Sequence, residues 1–210
     1  MNTVLIFTIA AGGLWILTYL LLIYRGFRDR KCGMPFAALC GNITWEYIFS
    51  FIFPVPGPGI YIIYIWFLLD IIILIQFLLY SRDDLPKPLS HQLFLPTLVV
   101  SLATAFSLHY FIALEFSNFT GVYSAYGLNL MMSILFVHLR LSRNHLLGQS
   151  MTIAICKLAG TVFASLVSYA LYPTSVLLLL LYILVFFFDL LYVILLHAKK
   201  KDLDSRLAPL

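Results

Sequence analysis

Four residues of the types Asp, Glu and Lys lie well inside long apolar segments of the chain, and the chemistry of their side chains stands out. They are Glu46, Asp70, Lys157 and Asp189. A charged side chain near the centre of a bilayer costs about 2.5 kcal/mol or more on insertion scales, so each one requires a partner or a function. At a rise of about 1.5 Å per helical residue, all four are expected about 9 to 15 Å from the same membrane face. We therefore predict that they share one layer.

Three carboxyl groups and one ammonium group would carry a net charge of minus two if all were ionised. Burial and repulsion between like charges favour neutral carboxyl groups, so we expect at least one to be protonated at neutral pH. In an apolar, aromatic cavity such an acid can protonate a hydrophobic substrate, and ring faces can stabilise the resulting cation. The alternative is an ion pair of Lys157 with Asp70 or Asp189 that only holds helices together, which leaves the other two acids unexplained.

Neighbours at helical spacing indicate what each ionisable group faces, because residues three, four and seven apart share a stripe. Asp70, Asp189 and Glu46 each have aromatic residues in their stripes. Lys157 is instead aligned with Gly160, Ala164 and Ser168, a small-residue stripe that predicts a face directed into the bundle. The residues predicted to support the acids or to line a substrate cavity are Asn42, Trp45, Trp66, Asp70, Lys157, Tyr182 and Phe186.

The composition indicates that a bilayer surrounds most of the chain. Of the 210 residues, 62% are hydrophobic and only 10% are charged, whereas an average soluble domain has about 25% charged residues. A soluble globular domain and a disordered chain are both excluded. Seven apolar segments, each long enough to cross a hydrocarbon core of about 30 Å, predict an all-α bundle of seven transmembrane helices. The predicted single domain, 1–210, has spans at 3–24, 36–53, 60–80, 93–114, 121–140, 151–171 and 175–197, and a short tail at 198–210.

The basic residues predict the orientation of this bundle. Of the 13 lysines and arginines, all but Lys157 fall in four clusters, at 25–31, 82–87, 140–143 and 199–206. These clusters lie on one side of the predicted spans, so the amino terminus is expected outside or in the lumen and the carboxyl terminus in the cytoplasm. The expected membrane is the endoplasmic reticulum in a eukaryote or the plasma membrane in a bacterium. Basic clusters used in this way do not indicate nucleic acid, and no obligate protein partner is evident.

The sequence has no pattern typical of a metal, nucleotide or redox cofactor. No phosphate-binding loop, dinucleotide fingerprint or paired-histidine motif occurs, and the three cysteines lack the spacing of metal ligands. We therefore expect no cofactor and no metal, and the predicted partners are the lipid bilayer and a lipophilic prenylated small molecule.

At Asn42-Ile43-Thr44-Trp45-Glu46, and again at Asp189, the sequence resembles a known family. It is similar to the small seven-span membrane-integral terpene cyclases of fungal meroterpenoid and indole-diterpenoid biosynthesis and their bacterial relatives. The resemblance implies that Glu46 and Asp189 perform acid catalysis. It implies no role for Asp70 or Lys157, which are predicted from their depth alone.

The resemblance also implies the reaction. Protonation of a terminal epoxide or alkene would start a cationic cyclisation of a linear prenyl chain attached to an aromatic or polyketide head. Such an enzyme is of the isomerase or intramolecular lyase type, and it needs no metal because no diphosphate leaves.

Two other classes remain as alternatives. A proton- or cation-coupled transporter could use Glu46, Asp70 and Asp189 as a relay, but the chain has no internal repeat of the kind that many transporters have. A seven-span receptor or structural membrane protein would match the predicted orientation, yet the chain lacks receptor signatures. The cyclase is the favoured interpretation.

Overall fold

The structure is a computed structural model that describes residues 2–81 and 93–207, and every regular element within these ranges is helical. The all-α prediction is thus confirmed for this part of the chain, while the basic cluster at 82–87 lies outside the described residues. The seven α-helices are α1 (Asn2–Asp29), α2 (Phe36–Tyr47), α3 (Gly59–Tyr80), α4 (Phe94–Glu115), α5 (Val122–Ser142), α6 (Met151–Leu171) and α7 (Val176–Leu207). A π-helical turn, Ile48–Ile52, continues α2.

Across the described ranges, six helices are long and apolar enough to cross a membrane. The exception is α2, which with its π-helical turn forms a shorter apolar helix at Phe36–Ile52. At about 1.5 Å per residue this helix falls somewhat short of a hydrocarbon core of about 30 Å. The seven-span count and the orientation of the termini therefore stay predictions. Helix α7 continues beyond the predicted span end at 197 to Leu207, so it includes most of the predicted tail.

Contacts between the helices close into a ring. Helix α1 packs on α3 and α6, α2 packs on α3 and α5, and α7 packs on α5 and α6. Helix α4 lies outside this ring, mainly against α2. The close approach of α1 and α6 depends on Gly160, where a Cβ atom would come within 3.0 Å of the Trp15 ring. A ring of six helices leaves an interior that side chains from five or six elements can reach.

Because successive helices alternate in direction, their connections gather at two ends of the bundle. We call the end with residues 53–58, 116–121 and 172–175 the upper end; there the Thr120 and Tyr172 hydroxyl groups are hydrogen-bonded at 3.0 Å. The lower end holds residues 30–35 and 143–150, where Arg143 Nη1 donates to the Cys32 carbonyl at 3.2 Å. Basic residues such as Arg30, Lys31 and Arg143 lie near the lower end, so this is the end that the sequence predicts to be cytoplasmic.

Candidate active site

Glu46 lies on α2, two residues before the π-helical turn, and its side chain is directed into the ring. Only 2% of the residue is exposed. The Tyr19 hydroxyl of α1 donates a hydrogen bond to Glu46 Oε1 at 3.1 Å, and Asn42 Nδ2 donates to the Tyr19 oxygen at 2.6 Å. Asn42 and Glu46 are four residues apart on one helix, so both face α1. Short π-helical insertions occur frequently at functional sites, and this one follows the acid directly.

Asp70 of α3 is the second acid at this position. It is fully buried, and its polar neighbours are Glu46 and Asn42. Among the described residues, neither oxygen of Asp70 nor Glu46 Oε2 has a hydrogen-bond partner. The two carboxyl groups are neighbours in one buried site, and two negative charges so placed would repel each other. We call Glu46 and Asp70 the acid pair.

Glu46 of the acid pair lines a cavity of about 130 Å³, which we call the inner cavity. Its wall includes all three tryptophans of the chain, and Glu46 is its one carboxyl group among the described lining residues. Ring faces of tryptophan attract cations, so the wall suits a positively charged intermediate. Besides Glu46, the lining residues are Trp15, Tyr19, Asn42, Trp45, Trp66, Ala125, Tyr126, Leu128, Asn129, Met132 and Ala164.

Lys157 and Asp189 form a second buried cluster, which we call the ion pair. Lys157 Nζ lies 2.5 Å from Asp189 Oδ1 and also donates to Ser133 Oγ at 2.8 Å and to Asn129 Oδ1 at 3.3 Å. The ammonium group is 5.4 Å from the centre of the Trp15 ring. Of the two ion pairs that the sequence left open for Lys157, the structure has the one with Asp189. Asp189 is not among the lining residues of the inner cavity, and Asn129 connects the ion pair to that wall.

Tyr182 and Phe186 lie elsewhere. Both line a surface crevice of about 480 Å³ between α6 and α7 and are absent from the lining of the inner cavity, although the Tyr182 ring packs at 4.7 Å on Tyr126, which does line it. Tyr182 donates to Ser168 Oγ at 2.6 Å, and Phe186 is 46% exposed. This corrects the sequence interpretation that placed them beside the acids. Phe186 and Tyr182, three and seven positions before Asp189, share a helical stripe with it. Such a stripe is broad, so residues at its edge can face outward while Asp189 faces the interior.

Three other predicted residues lie together around Glu46. Asn42, Trp45 and Trp66 line the inner cavity with Glu46, and Trp45 Nε1 donates to the Gly121 carbonyl at 3.1 Å. Their chemical roles are not tested by their positions. Trp66 Nε1 is buried without a hydrogen-bond partner in the described part of the chain.

Sequence reasoning missed Trp15, Tyr19, Asn129 and Ser133. Trp15 and Tyr19 are four residues apart on α1 and connect the two clusters, since Tyr19 contacts Glu46 and Trp15 contacts Lys157. Asn129 and Ser133 are likewise four apart on α5 and both accept hydrogen bonds from Lys157. The available signal was a pair of polar or amphipathic residues at helical spacing within an apolar span. It was overlooked because these spans have no acid of their own.

Comparison with known proteins gives a consistent set of relatives. The family described as Pyr4-like transmembrane terpene cyclases matches residues 1–202. The Pyr4-family terpene cyclase mfmH of Annulohypoxylon moriforme is 30% identical over 80% of this chain and 72% of its own length. Terpene cyclase macJ of Penicillium terrestre is 29% identical over 76% of this chain, and asnovolin H synthase nvfL of Aspergillus novofumigatus is 30% identical over 71%. The matches span 64% and 63% of those two relatives, which is less than two thirds of their length.

Proposed function

This chain belongs to the Pyr4-like transmembrane terpene cyclases, and from that premise we propose that Glu46 starts a cationic cyclisation by protonating its substrate. The proposed substrate is a linear prenyl chain with a terminal epoxide or alkene, attached to an aromatic or polyketide head. The name of one relative, asnovolin H synthase, and the terpene cyclase names of others support a product of this general kind. The proposed reaction belongs to the isomerase or intramolecular lyase type.

The observation that carries the proposal is the hydrogen bonding and the surroundings of the Glu46 carboxyl group. One oxygen is fixed by Tyr19, while the other has no hydrogen-bond partner in the described ranges and borders an aromatic cavity. Asp70 beside it favours retention of a shared proton, because two ionised carboxylates in one apolar site repel each other. An acid held neutral in this way can transfer its proton to an epoxide oxygen or an alkene carbon.

The remaining steps follow from the charge that this transfer creates. Protonation leaves a cation on the prenyl chain, which migrates as carbon–carbon bonds form between folded isoprene units. Tryptophan faces in the wall stabilise the cation, and exclusion of water prevents its early capture. Loss of a proton ends the sequence, so the product is an isomer of the substrate. No diphosphate leaves, and the proposed reaction therefore requires no metal.

The other predicted site residues have supporting roles in this proposal. Asn42 and Tyr19 orient Glu46, whereas Trp45 and Trp66 contact the prenyl chain. Asp189 acts through Lys157 and Asn129 as a positioning residue, because none of its contacts reaches the inner cavity directly. The transporter hypothesis is not favoured, since the family and its relatives are cyclases. In a fungal cell the proposed location is the membrane of the endoplasmic reticulum.

The test is an isomerisation assay in a membrane host. The protein is supplied with prenylated aromatic substrates, with and without a terminal epoxide, and products of unchanged mass are sought by mass spectrometry. We expect a cyclic isomer from the wild type and a rate lower by about 100- to 10,000-fold in Glu46→Gln. Glu115→Gln is the matched control, because Glu115 is an exposed residue at the end of α4.

Three outcomes contradict parts of this proposal separately. Full activity in Glu46→Gln would reject Glu46 as the proton donor while leaving the cyclase class, and full activity in Asp189→Asn as well would exclude both acids from catalysis. Formation of no isomer from any substrate would reject the proposed reaction. Proton uptake into vesicles that depends on Glu46, without isomer formation, would favour the transporter.

A further inference from the structure

A second cavity, of about 440 Å³, lies between the inner cavity and the upper end of the bundle. We call it the outer chamber. The two share five lining residues, so they adjoin: these are Trp45, Trp66, Ala125, Tyr126 and Ala164. The outer chamber extends from there to residues of all three upper connections, represented by Val55, Thr120 and Tyr172. A long ligand could therefore occupy both spaces in line.

The volumes of the two cavities indicate which part of such a ligand each could hold. An apolar cavity of about 150 Å³ is known to hold one benzene molecule, so the inner cavity at about 130 Å³ has room for little more than the end of a prenyl chain. The rest of a prenylated aromatic molecule needs a further space. The outer chamber has more than three times the volume of the inner cavity and is next to it.

The outer chamber has a polar edge and an apolar body. At its upper rim the Thr120 and Tyr172 hydroxyl groups are hydrogen-bonded to each other at 3.0 Å. Thr120 Oγ1 also donates to Asn118 Oδ1 at 3.2 Å, so Tyr172 is the donor to Thr120 and both hydroxyl protons are engaged. The Tyr172 oxygen can still accept a hydrogen bond from a ligand hydroxyl group. The body of the chamber is formed by apolar residues such as Ile62, Val167 and Leu171. An oxygenated ring, with a polar rim and hydrophobic faces, matches this arrangement.

We propose that the outer chamber binds the oxygenated head group of the substrate through Thr120 and Tyr172, while the far end of the prenyl chain reaches Glu46. This inference rests on the proposed function, because it assumes a substrate with a head and a prenyl tail. It adds a specificity site at the opposite end of the molecule from the reacting atoms. The competing arrangement leaves the head group in the lipid and uses the outer chamber only as a passage for the tail.

The experiment compares two substrates with the same epoxyprenyl tail. One has a dihydroxylated aromatic head, and the other has a methyl group in its place. In Tyr172→Phe and in Thr120→Val we expect kcat/KM for the headed substrate to fall roughly 3- to 10-fold, the effect of losing one ordinary hydrogen bond. The value for the methyl-capped substrate is expected to stay unchanged. Tyr169→Phe is the matched control, because Tyr169 lines the separate crevice between α6 and α7.

A steric variant tests the same site without removing a hydroxyl group. Val167→Phe adds bulk to the outer chamber but not to the inner cavity, whose lining does not include Val167. We expect it to slow the headed substrate at least 10-fold more than the methyl-capped one. Equal losses for both substrates, or no loss for either in any of the three variants, would overturn the head-group site and leave the proposed reaction intact.

A binding measurement separates this proposal from failure of the catalytic one. A saturated, unreactive analogue that retains the head is added to the purified protein in detergent, and the thermal unfolding midpoint is recorded. The midpoint is expected to rise in the wild type and in Tyr169→Phe, and to rise much less in Tyr172→Phe. If the analogue shifts all three equally, or none of them, the head-group site is wrong, whatever the activity assay shows.

Discussion

The acid pair and the ion pair are both buried in the same bundle, but their charges are compensated in different ways. Lys157 and Asp189 neutralise each other, and the ammonium group has two further hydrogen bonds, to Asn129 and Ser133. The acid pair has no cation of this kind among the described side chains. Among the described residues, the one hydrogen bond to its carboxyl oxygens is donated by the Tyr19 hydroxyl group to Glu46 Oε1.

This difference separates a structural task from a chemical one. A compensated pair gives little driving force for proton transfer. If either partner became neutral, the charge of the other would be left unpaired in an apolar interior. An uncompensated acid pair is costly to bury and is retained only where it is useful. In the proposed function, the ion pair holds α5, α6 and α7 together, and the acid pair supplies the proton beside the inner cavity. Substitutions in the ion pair should therefore reduce stability more than activity, and substitutions in the acid pair should reduce activity more than stability.

The largest expected effect on stability is that of breaking the ion pair. Lys157→Met leaves the Asp189 carboxylate buried without its counter-charge, which costs about 3 to 5 kcal/mol in comparable sites. Unfolding of the purified protein in detergent micelles measures this loss. Lys199→Met is the matched control, because Lys199 contacts Asp202 near the end of α7 with a partly exposed side chain. If the two variants unfold alike, the ion pair does not stabilise the bundle.

A double substitution should recover most of that loss. In Lys157→Met/Asp189→Leu no charge remains to be compensated, and apolar replacement of buried ion pairs is often neutral or stabilising. We expect the double variant to be more stable than Lys157→Met by about 2 kcal/mol or more. It should also retain cyclisation within about tenfold of the wild type, since a positioning group contributes less than a proton donor. Inactivity as severe as in Glu46→Gln would instead make Asp189 part of the proton transfer.

The fold was predictable where the sequence itself marks helix ends. The predicted spans 60–80 and 151–171 nearly coincide with Gly59–Tyr80 and Met151–Leu171, and Ser150 accepts a capping hydrogen bond from the Ile153 amide at 3.2 Å. The π-helical turn after α2 was not predictable, because hydropathy does not report hydrogen-bond spacing. The order of helices in the ring was not predictable either, since helices apolar on all sides give no clear direction for packing.

The site was predictable in depth and not in lateral arrangement. The pattern at Asn42–Glu46, with Asp189, led to the correct family, and the family match over residues 1–202 confirms that resemblance. The rise per residue predicts one depth for the four ionisable side chains, but depth alone cannot say which of them are neighbours. The pairing of Glu46 with Asp70 depends on α2 packing against α3, and that of Lys157 with Asp189 depends on α6 packing against α7.

A smaller effect, and one of opposite kind, is expected at Asp70. Asp70→Asn keeps the shape of the side chain. It removes a buried carboxyl group whose oxygens have no hydrogen-bond partner among the described residues. Stability should therefore be unchanged or slightly increased, while cyclisation falls about 10- to 100-fold because Glu46 loses its proton-sharing neighbour. Unfolding midpoints and isomer formation are measured on the same preparations. A less stable protein with normal activity would place Asp70 with the structural residues.

The smallest effect is expected at Tyr19, which connects the two clusters through its place on α1. Tyr19→Phe removes the hydroxyl group that donates to Glu46 Oε1 and accepts from Asn42, but it keeps the ring that packs against Trp15 at 6.0 Å. One such hydrogen bond contributes about 1 kcal/mol, so cyclisation should slow about fivefold. Tyr64→Phe is the control, because the Tyr64 hydroxyl donates to the Ser50 carbonyl away from Glu46. A slower rate with an altered ratio of cyclic isomers would show that Tyr19 aims the proton, whereas an unchanged rate would mean that the acid pair orients itself without α1.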